Sequence, residues 1–204
     1  VIAYFSAVTH ENWRPDEGDF PSGVKGNNVD GWAGEKWLDV TQVATLQPIM
    51  EGRVAIAKSK GFQAIEWDNL DGYDNSTGFS ISQAQQKTYL QMLADITHAQ
   101  GLAAIFKNVP DFASWGASRF DGVIGEEAYE WDEESSYDPW HTASKPVWIV
   151  EYSGTLDCSD AASRGFHLSK YTYDLDGTVV AQCGGTPSGL IGVASPSTSL
   201  TDFP

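Results

Sequence analysis

Four times in this chain a short apolar run ends on a charged residue. The runs are GFQAIEWD, ending at Asp68; LAAIFKN, ending at Lys107 and Asn108; FDGVIGEEA, carrying Glu126 and Glu127; and KPVWIVEYS, carrying Glu151. Segments with helical spacing or turn residues separate them. Strands alternating with helices imply a parallel sheet with right-handed crossovers. In a (β/α) barrel the C-terminal strand ends meet on one face and carry the chemistry. An open doubly wound sheet accounts for two such residues at a crevice; four suit a closed barrel better. The chain has no GxGxxG or GxxxxGK run, so a nucleotide fold lacks support.

The stretch from Gly61 to Phe79, GFQAIEWDNLDGYDNSTGF, is the densest of these signals. A strand alternates its faces with period two, so Ala64, Glu66 and Asp68 share one face and Ile65 and Trp67 the other. The plain alternative is an ordinary strand followed by a solvated acidic loop. Two acids on one strand face are costly to bury without partners or a purpose, which favours a functional reading. Asp71, Asp74 and Asn75 do not follow the calcium-loop spacing, so no metal is assigned. Asn75-Ser76-Thr77 is a glycosylation sequon, but its place beside the expected site argues against a glycan there.

Taken in order, residues 1–7 read as a buried strand with Tyr4 and Ser6 on one face. Residues 8–40 read as a long irregular loop, and loops of that length in a compact domain are usually functional. Its Trp13, Trp32 and Trp37 suit platforms for a ring-shaped ligand, and Arg14, Asp16, Glu35 and Asp39 suit polar clamps. The alternative is a self-packed loop with the tryptophans as its own small core. Residues 41–60 have helical apolar spacing, with Pro48 placing the start of the main helix near it and Gly61 its stop. A second helix is expected over 82–100, capped by Ser82, with Tyr89, Leu90, Leu93, Ile96 and Thr97 buried. Strands are expected near 62–68, 102–108, 120–128, 145–153 and 177–182. Short helices are expected near 112–119 and 139–143, and a longer one over Ser159–Tyr171. The Gly-, Ser- and Pro-rich tail is expected to wrap the surface.

The chain has 204 residues, enough for one domain with a real core or at most two small ones. Six strands and this length fall short of a full barrel of ~250 residues. The expectation is therefore a (β/α)8 TIM-like barrel, residues 1–204 as one domain, lacking its first one or two strands. Something else could instead cover the gap. The chain opens inside an apolar strand, as a mature or truncated product does. Net charge is −16, which disfavours nucleic acid and anionic membranes and favours a cationic ligand. Cys158 and Cys183 can staple the end of the fold, worth about 3 kcal/mol, and an even cysteine count with such acidity suits a secreted protein. No apolar stretch is long enough to span a membrane.

Several runs, in this order, resemble the endo-α-1,4-polygalactosaminidase family of glycoside hydrolases (family 114). They are AYFSAVTHENWRPDEGDFP, GWAGEKWLDV, KGFQAIEWDNLDGYDNSTGF, THAQGL, IFKN, FDGVIGEE and KPVWIVEYS. The likeness is dense over residues 1–153 and loose in the cysteine-bearing tail. The chain departs from the family pattern at Gly125, where an Asn is usual, at Ala128 and Glu134, where a cysteine pair is usual, and at Trp67, where Pro is common. Gly125 puts one substrate or acid-orienting contact in doubt.

The resemblance implies a barrel that cleaves α-1,4-linked galactosamine-containing polysaccharide internally, with no cofactor, as a secreted monomer. Galactosamine without its N-acetyl group is cationic, which agrees with the acidic charge. Glycoside cleavage normally uses two carboxyl groups flanking the bond. The family points to Asp68, read as nucleophile, and Glu126, read as general acid/base. Glu66, Glu127 and Glu151 are expected to raise the pKa of Glu126, and Lys107 to keep the nucleophile ionised. Tyr4, Arg14, Asp16, Trp32, Glu35, Trp37, Glu66, Asn69, Asp71, Tyr73, Lys107, Asn108 and Glu151 are the candidate substrate contacts. Two rival readings are a non-catalytic carbohydrate-binding barrel and a metal-dependent hydrolase. The scattered His10, His98, His141 and His167 argue against the second.

Overall fold

The structure is a computed structural model, and it describes residues 1–174 and 176–184. The tail expected to wrap the surface lies beyond 184, outside the described residues. The described chain forms two compact units, one spanning Ile2–Ala104 and the other beginning at Ile105.

In the first unit, β1 (Ile2–Ser6) pairs in parallel with β5 (Ala64–Asp68), Tyr4 opposite Glu66 and Ser6 opposite Asp68. Between them lie α1 (Val43–Ser59) and a small antiparallel sheet. That sheet, in the order β2 (Thr9–Glu11), β4 (Glu35–Leu38), β3 (Lys25–Asn28), replaces the irregular loop expected over 8–40. Its strands are three or four residues long, too short to show alternation in the sequence. Helix α1 starts five residues before Pro48 and includes it, forfeiting the backbone bond that residue 48 would otherwise donate to Ala44. The bonds from Gly61 N to Lys58 O and from Phe62 N to Ala57 O close α1 as a Schellman motif.

Helix α2 (Gln83–Ala99) begins with a capping box between Ser82 and Gln85 and buries the five residues expected of it. It packs on the apolar face of β5, where the Trp67 indole donates to Thr97 Oγ1 at 3.0 Å. Trp67, common proline position or not, is thus fully buried with its one donor satisfied. This packing leaves Glu66 and Asp68 on the opposite face of β5, as the alternation predicts.

The strand β6 (Ala103–Lys107) opens beside β5, with Ala103 N bonded to Gln63 O. In the second unit β6 continues into the order β6-β7-β8-β9-β10, with β7 at Gly122–Glu126, β8 at Val147–Glu151, β9 at His167–Tyr171 and β10 at Val179–Gln182. All pairs are parallel except β9 with β10. The short helices α3 (Ala113–Gly116) and α4 (Asp138–Thr142) cover an aromatic core in which Phe106 meets Phe120 and Trp140 at 5.1 and 5.6 Å. Helix α5 (Cys158–Arg164) is shorter than the helix expected over 159–171. It ends at Gly165, in the left-handed region at φ 70°, and the chain re-enters the sheet as β9. A glycine inside a helical pattern proves here to be a C-cap. Cys158 and Cys183 form a disulfide that ties α5 to the residue following β10.

Candidate active site

The residue after each of three charged strand ends is left-handed: Asn69 after Asp68, Asn108 after Lys107 and Glu127 after Glu126, with φ of 59°, 53° and 55°. Such conformations cost energy in residues other than glycine, and they cluster at functional sites. At these positions the backbone turns sharply as it leaves the strand.

In the first unit the Tyr4 hydroxyl donates to Asp68 Oδ2 at 2.8 Å. Burial, and after it the Asp68 charge, pushes the Tyr4 phenol far up, so it stays protonated as a donor. The Arg14 guanidinium lies over the Tyr4 ring and grips buried Glu11 through two bonds, of 2.8 and 3.1 Å. Asn69 Nδ2 donates to Ser6 Oγ at 2.8 Å, Ser6 Oγ meets Thr9 Oγ1, and Thr9 donates to Glu35 Oε1 at 2.6 Å. Glu35 faces Glu11 across the β2·β4 pair. Burial raises the Glu35 pKa, and Glu11 and Asp68 add to the rise against the opposing Thr9 bond. Burial likewise raises Asp71, which lies beside the single-turn helix carrying half-buried Tyr73. Glu66 is half-buried on the Asp68 face.

Other candidates in this unit are placed differently. Asp16 is held by buried Arg53 through two bonds, of 2.6 and 3.1 Å, and Arg53 also donates to Ser6 O at 2.7 Å. Asp39 caps Thr41. Trp37 is 7% exposed and belongs to the core, whereas Trp13 and Trp32 are 52% and 63% exposed. Of the three expected platforms, only those two present an open ring.

In the second unit Glu126, at the end of β7, is enclosed by donors. Lys107 Nζ lies 3.3 Å from its Oε2, Asn108 Nδ2 donates to the same oxygen at 3.3 Å, and the Tyr152 hydroxyl donates to Oε1. Asn108 Oδ1 accepts from the Glu126 backbone N at 2.8 Å, so one amide holds both ends of the residue. Burial acts to raise the Glu126 pKa, but Lys107 and the bonds from Tyr152 and Asn108 outweigh it, and the net direction is down. This corrects the expectation that neighbouring acids raise it. Those acids are engaged elsewhere: Glu151, 3% exposed, accepts from Tyr129 N at 3.0 Å, and Glu127 accepts from the Tyr173 hydroxyl at 2.9 Å. Burial raises Glu151, with the backbone donors opposing.

Comparison with known proteins identifies the family. The model of glycoside-hydrolase family GH114 matches residues 1–187. The chain belongs to that family. It is a glycosidase with an α/β fold of the (β/α) barrel class. The crystal structure of Aspergillus fumigatus Ega3 in complex with galactosamine is similar at a TM-score of 0.80 and 30% identity, over 88% of this chain and 77% of that one. The glycoside hydrolase domain of PelA from Pseudomonas aeruginosa shares the fold at a TM-score of 0.61 and 16% identity, over 88% of this chain and 80% of that one. Comparison with curated proteins finds no match.

Two departures from the family pattern now have a physical reading. A Cβ at Gly125 would lie 2.8 Å from Tyr137 Cζ and 3.0 Å from Ile149 Cδ1, so Tyr137 occupies the space that a side chain at 125 needs. Glu134 lies 3.7 Å from Arg164, which also holds Asp138 and Asp160 at 2.8 and 2.7 Å, while Ala128 is fully buried. Ion pairs therefore hold the segment around Glu134 in this GH114 chain.

Sequence reasoning missed Tyr152. The register shows how it could have been found: Glu126 pairs with Val150 on β8, and Tyr152 continues the face of Val150 two residues on. Glu151, chosen for its charge, points the other way. Among the described residues no group of three or more His, Cys, Asp or Glu side chains is placed to hold a metal ion. No helix among them is long and apolar enough to cross a membrane.

Proposed function

We propose that this glycosidase cleaves α-1,4-linked, galactosamine-containing polysaccharide internally, with Asp68 and Glu126 as its carboxylate pair. The observation that carries the reading is the dressing of these strand-end carboxylates in a chain 30% identical to a protein crystallised with galactosamine. Asp68 takes a hydrogen bond from Tyr4; Glu126 takes a cation, an amide and a phenol. In the proposed reaction Asp68 is the nucleophile and Glu126 the general acid that protonates the leaving oxygen. Polymer without N-acetyl groups is cationic, which suits a chain of net charge −16. Open Trp13 and Trp32 rings suit an extended sugar chain and therefore internal cleavage. The disulfide and the acidity support action outside the cell, and the chain is proposed to act there as one monomeric domain.

The exchanged roles have one observation in their favour, since Glu126 is held ionised and a nucleophile must be ionised. Activated aryl oligogalactosaminides with added azide separate the two assignments. Azide rescues the acid/base variant with the product anomer of the normal reaction, and the nucleophile variant with the opposite one.

The basic test is product analysis on partially deacetylated poly-galactosamine, with wild type beside Asp68→Asn and Glu126→Gln. Wild type is expected to release short oligomers, and each variant to lose roughly 10²–10⁴ in kcat while still binding. Binding without cleavage by wild type would establish the carbohydrate-binding alternative. Loss of wild-type activity in chelator would establish a metal-dependent one.

A further inference from the structure

The second unit holds an exposed aromatic ring that the two-carboxylate chemistry leaves unused. Tyr173 follows β9, at the same end of the parallel strands as Glu126 on β7 and Tyr152 after β8. It is 69% exposed. One face of its ring is stacked on Tyr152, centroids 4.8 Å apart and planes 24° from parallel. Its hydroxyl donates to Glu127 Oε1, so the ring is held at its edge as well as on one face.

The turn behind it is also braced. Thr172 Oγ1 and Thr178 N both bond to Asp176 Oδ1, at 3.2 and 2.8 Å. The Cys158–Cys183 disulfide closes the segment that contains β9 and this turn. An exposed tyrosine fixed at so many points has lost the mobility that solvent-facing side chains normally keep, which lowers the entropic cost of using it to bind. Its surroundings are chemically matched to one kind of ligand. The ring offers an apolar face with negative potential, and Glu127 adds a carboxylate beside it. A sugar ring's C–H face stacks on such a surface, and an ammonium group is attracted to both the ring and the acid.

We propose that Tyr173 is a substrate-positioning residue whose open face docks one amino-sugar ring of the chain beside Glu126, with Glu127 recognising the ring's ammonium group. The inference rests on the function proposed above and names a specificity determinant for it. Tyr152 separates the two jobs: one side of it supports the platform, and its hydroxyl holds Glu126.

The test is calorimetric binding of deacetylated and fully N-acetylated α-1,4-galactosamine oligomers in an Asp68→Asn background, with and without Tyr173→Ala or Tyr173→Phe. Steady-state kinetics of the same Tyr173 changes in the wild-type background accompany it. Tyr173→Ala is expected to weaken binding of the deacetylated oligomer about tenfold, and that of the acetylated one less. It is also expected to raise KM more than it lowers kcat, with the pH limbs of kcat/KM in place. Tyr173→Phe keeps the ring and is expected to retain most of the affinity. If Tyr173→Ala binds both oligomers as tightly as its parent, the inference is overturned while cleavage by wild type leaves the proposed function standing. A moved pH limb without weakened binding also overturns it, because Tyr173 then only packs Tyr152. Absence of both binding and cleavage in the wild-type protein overturns both readings.

Discussion

Glu35 is a buried carboxyl and Glu126 a half-buried one, yet their titration is driven in opposite directions. Glu35, in the first unit, has a threonine hydroxyl for a partner and faces Glu11 across the strand pair. Burial decides its direction, and the nearby acids add to the rise. For Glu126, in the second unit, burial also acts to raise the pKa, but an ammonium, a phenol and an amide overturn it. The difference teaches that burial alone does not set a carboxyl's state; the donors delivered to its oxygens do. Both residues come from acidic segments of an acidic chain, so charge in the sequence does not distinguish them.

The sharpest way to break this contrast is to make Glu126 resemble Glu35. Lys107→Met removes the cation and leaves burial dominant, so the Glu126 pKa is expected to rise. Wild-type Glu126, with its depressed folded pKa, contributes stability above its unfolded pKa that is lost as pH falls through the folded one. In the variant this contribution shrinks as the folded pKa climbs back toward the unfolded one. The loss at neutral pH is expected to reach roughly 3 kcal/mol, moderated because Glu126 keeps Tyr152 and Asn108 and can take a proton. The pH profile of kcat/KM also assigns the role. If Glu126 is the general acid, the alkaline limb moves upward; if it is the nucleophile, the acid limb does. Unmoved limbs would show that Lys107 does not govern Glu126.

A second test concerns the covalent link that only the Glu126 unit possesses. Replacing Cys158 and Cys183 together by serine is expected to cost about 3 kcal/mol, for a bridge between residues 25 positions apart. Thermal melting is expected to shift down by roughly 6–12 °C. An unchanged melting temperature would show that β9 and β10 are secured by pairing alone.

The smallest effect is expected at Glu35. Its raised folded pKa means that the ionised form destabilises the fold as pH rises through that value. Glu35→Gln keeps an acceptor for Thr9 and removes the charge. A modest gain in melting temperature at neutral pH, vanishing in acid, is the expected result. A loss at neutral pH would mean that the carboxylate is needed there, and the contrast with Glu126 would fail.

Much of the fold was legible from short-range pattern. The alternation of Ala64 to Asp68, the Ser82 cap and the stop at Gly61 depend on neighbours within a few residues, so local physics placed β5 and α2 correctly. The region 8–40 and the segment 167–171 were misread for a related reason. Strands of three to five residues are specified by their partners, such as β4 for β2 and β8 for β9, rather than by their own period. The site divides in the same way. Asp68, Lys107, Asn108 and Glu126 announce themselves as polar residues at the ends of apolar runs. For Trp37 the core alternative held while Trp13 and Trp32 stayed open, a division the sequence did not make, and nothing near Asp16 announced that Arg53 would hold it.

The amino-acid sequence by itself determined the alternating α/β plan, the strand-end carboxylates and the acidic charge, because each is a property of residue type and short spacing. Tertiary structure alone decided that Tyr137 fills the space at Gly125, that Glu151 is turned toward backbone amides and that Tyr152 and Lys107 hold Glu126 ionised. Those outcomes depend on distances of about 3 Å between residues far apart in the chain. Such distances are set by strand register and packing, which no local pattern encodes.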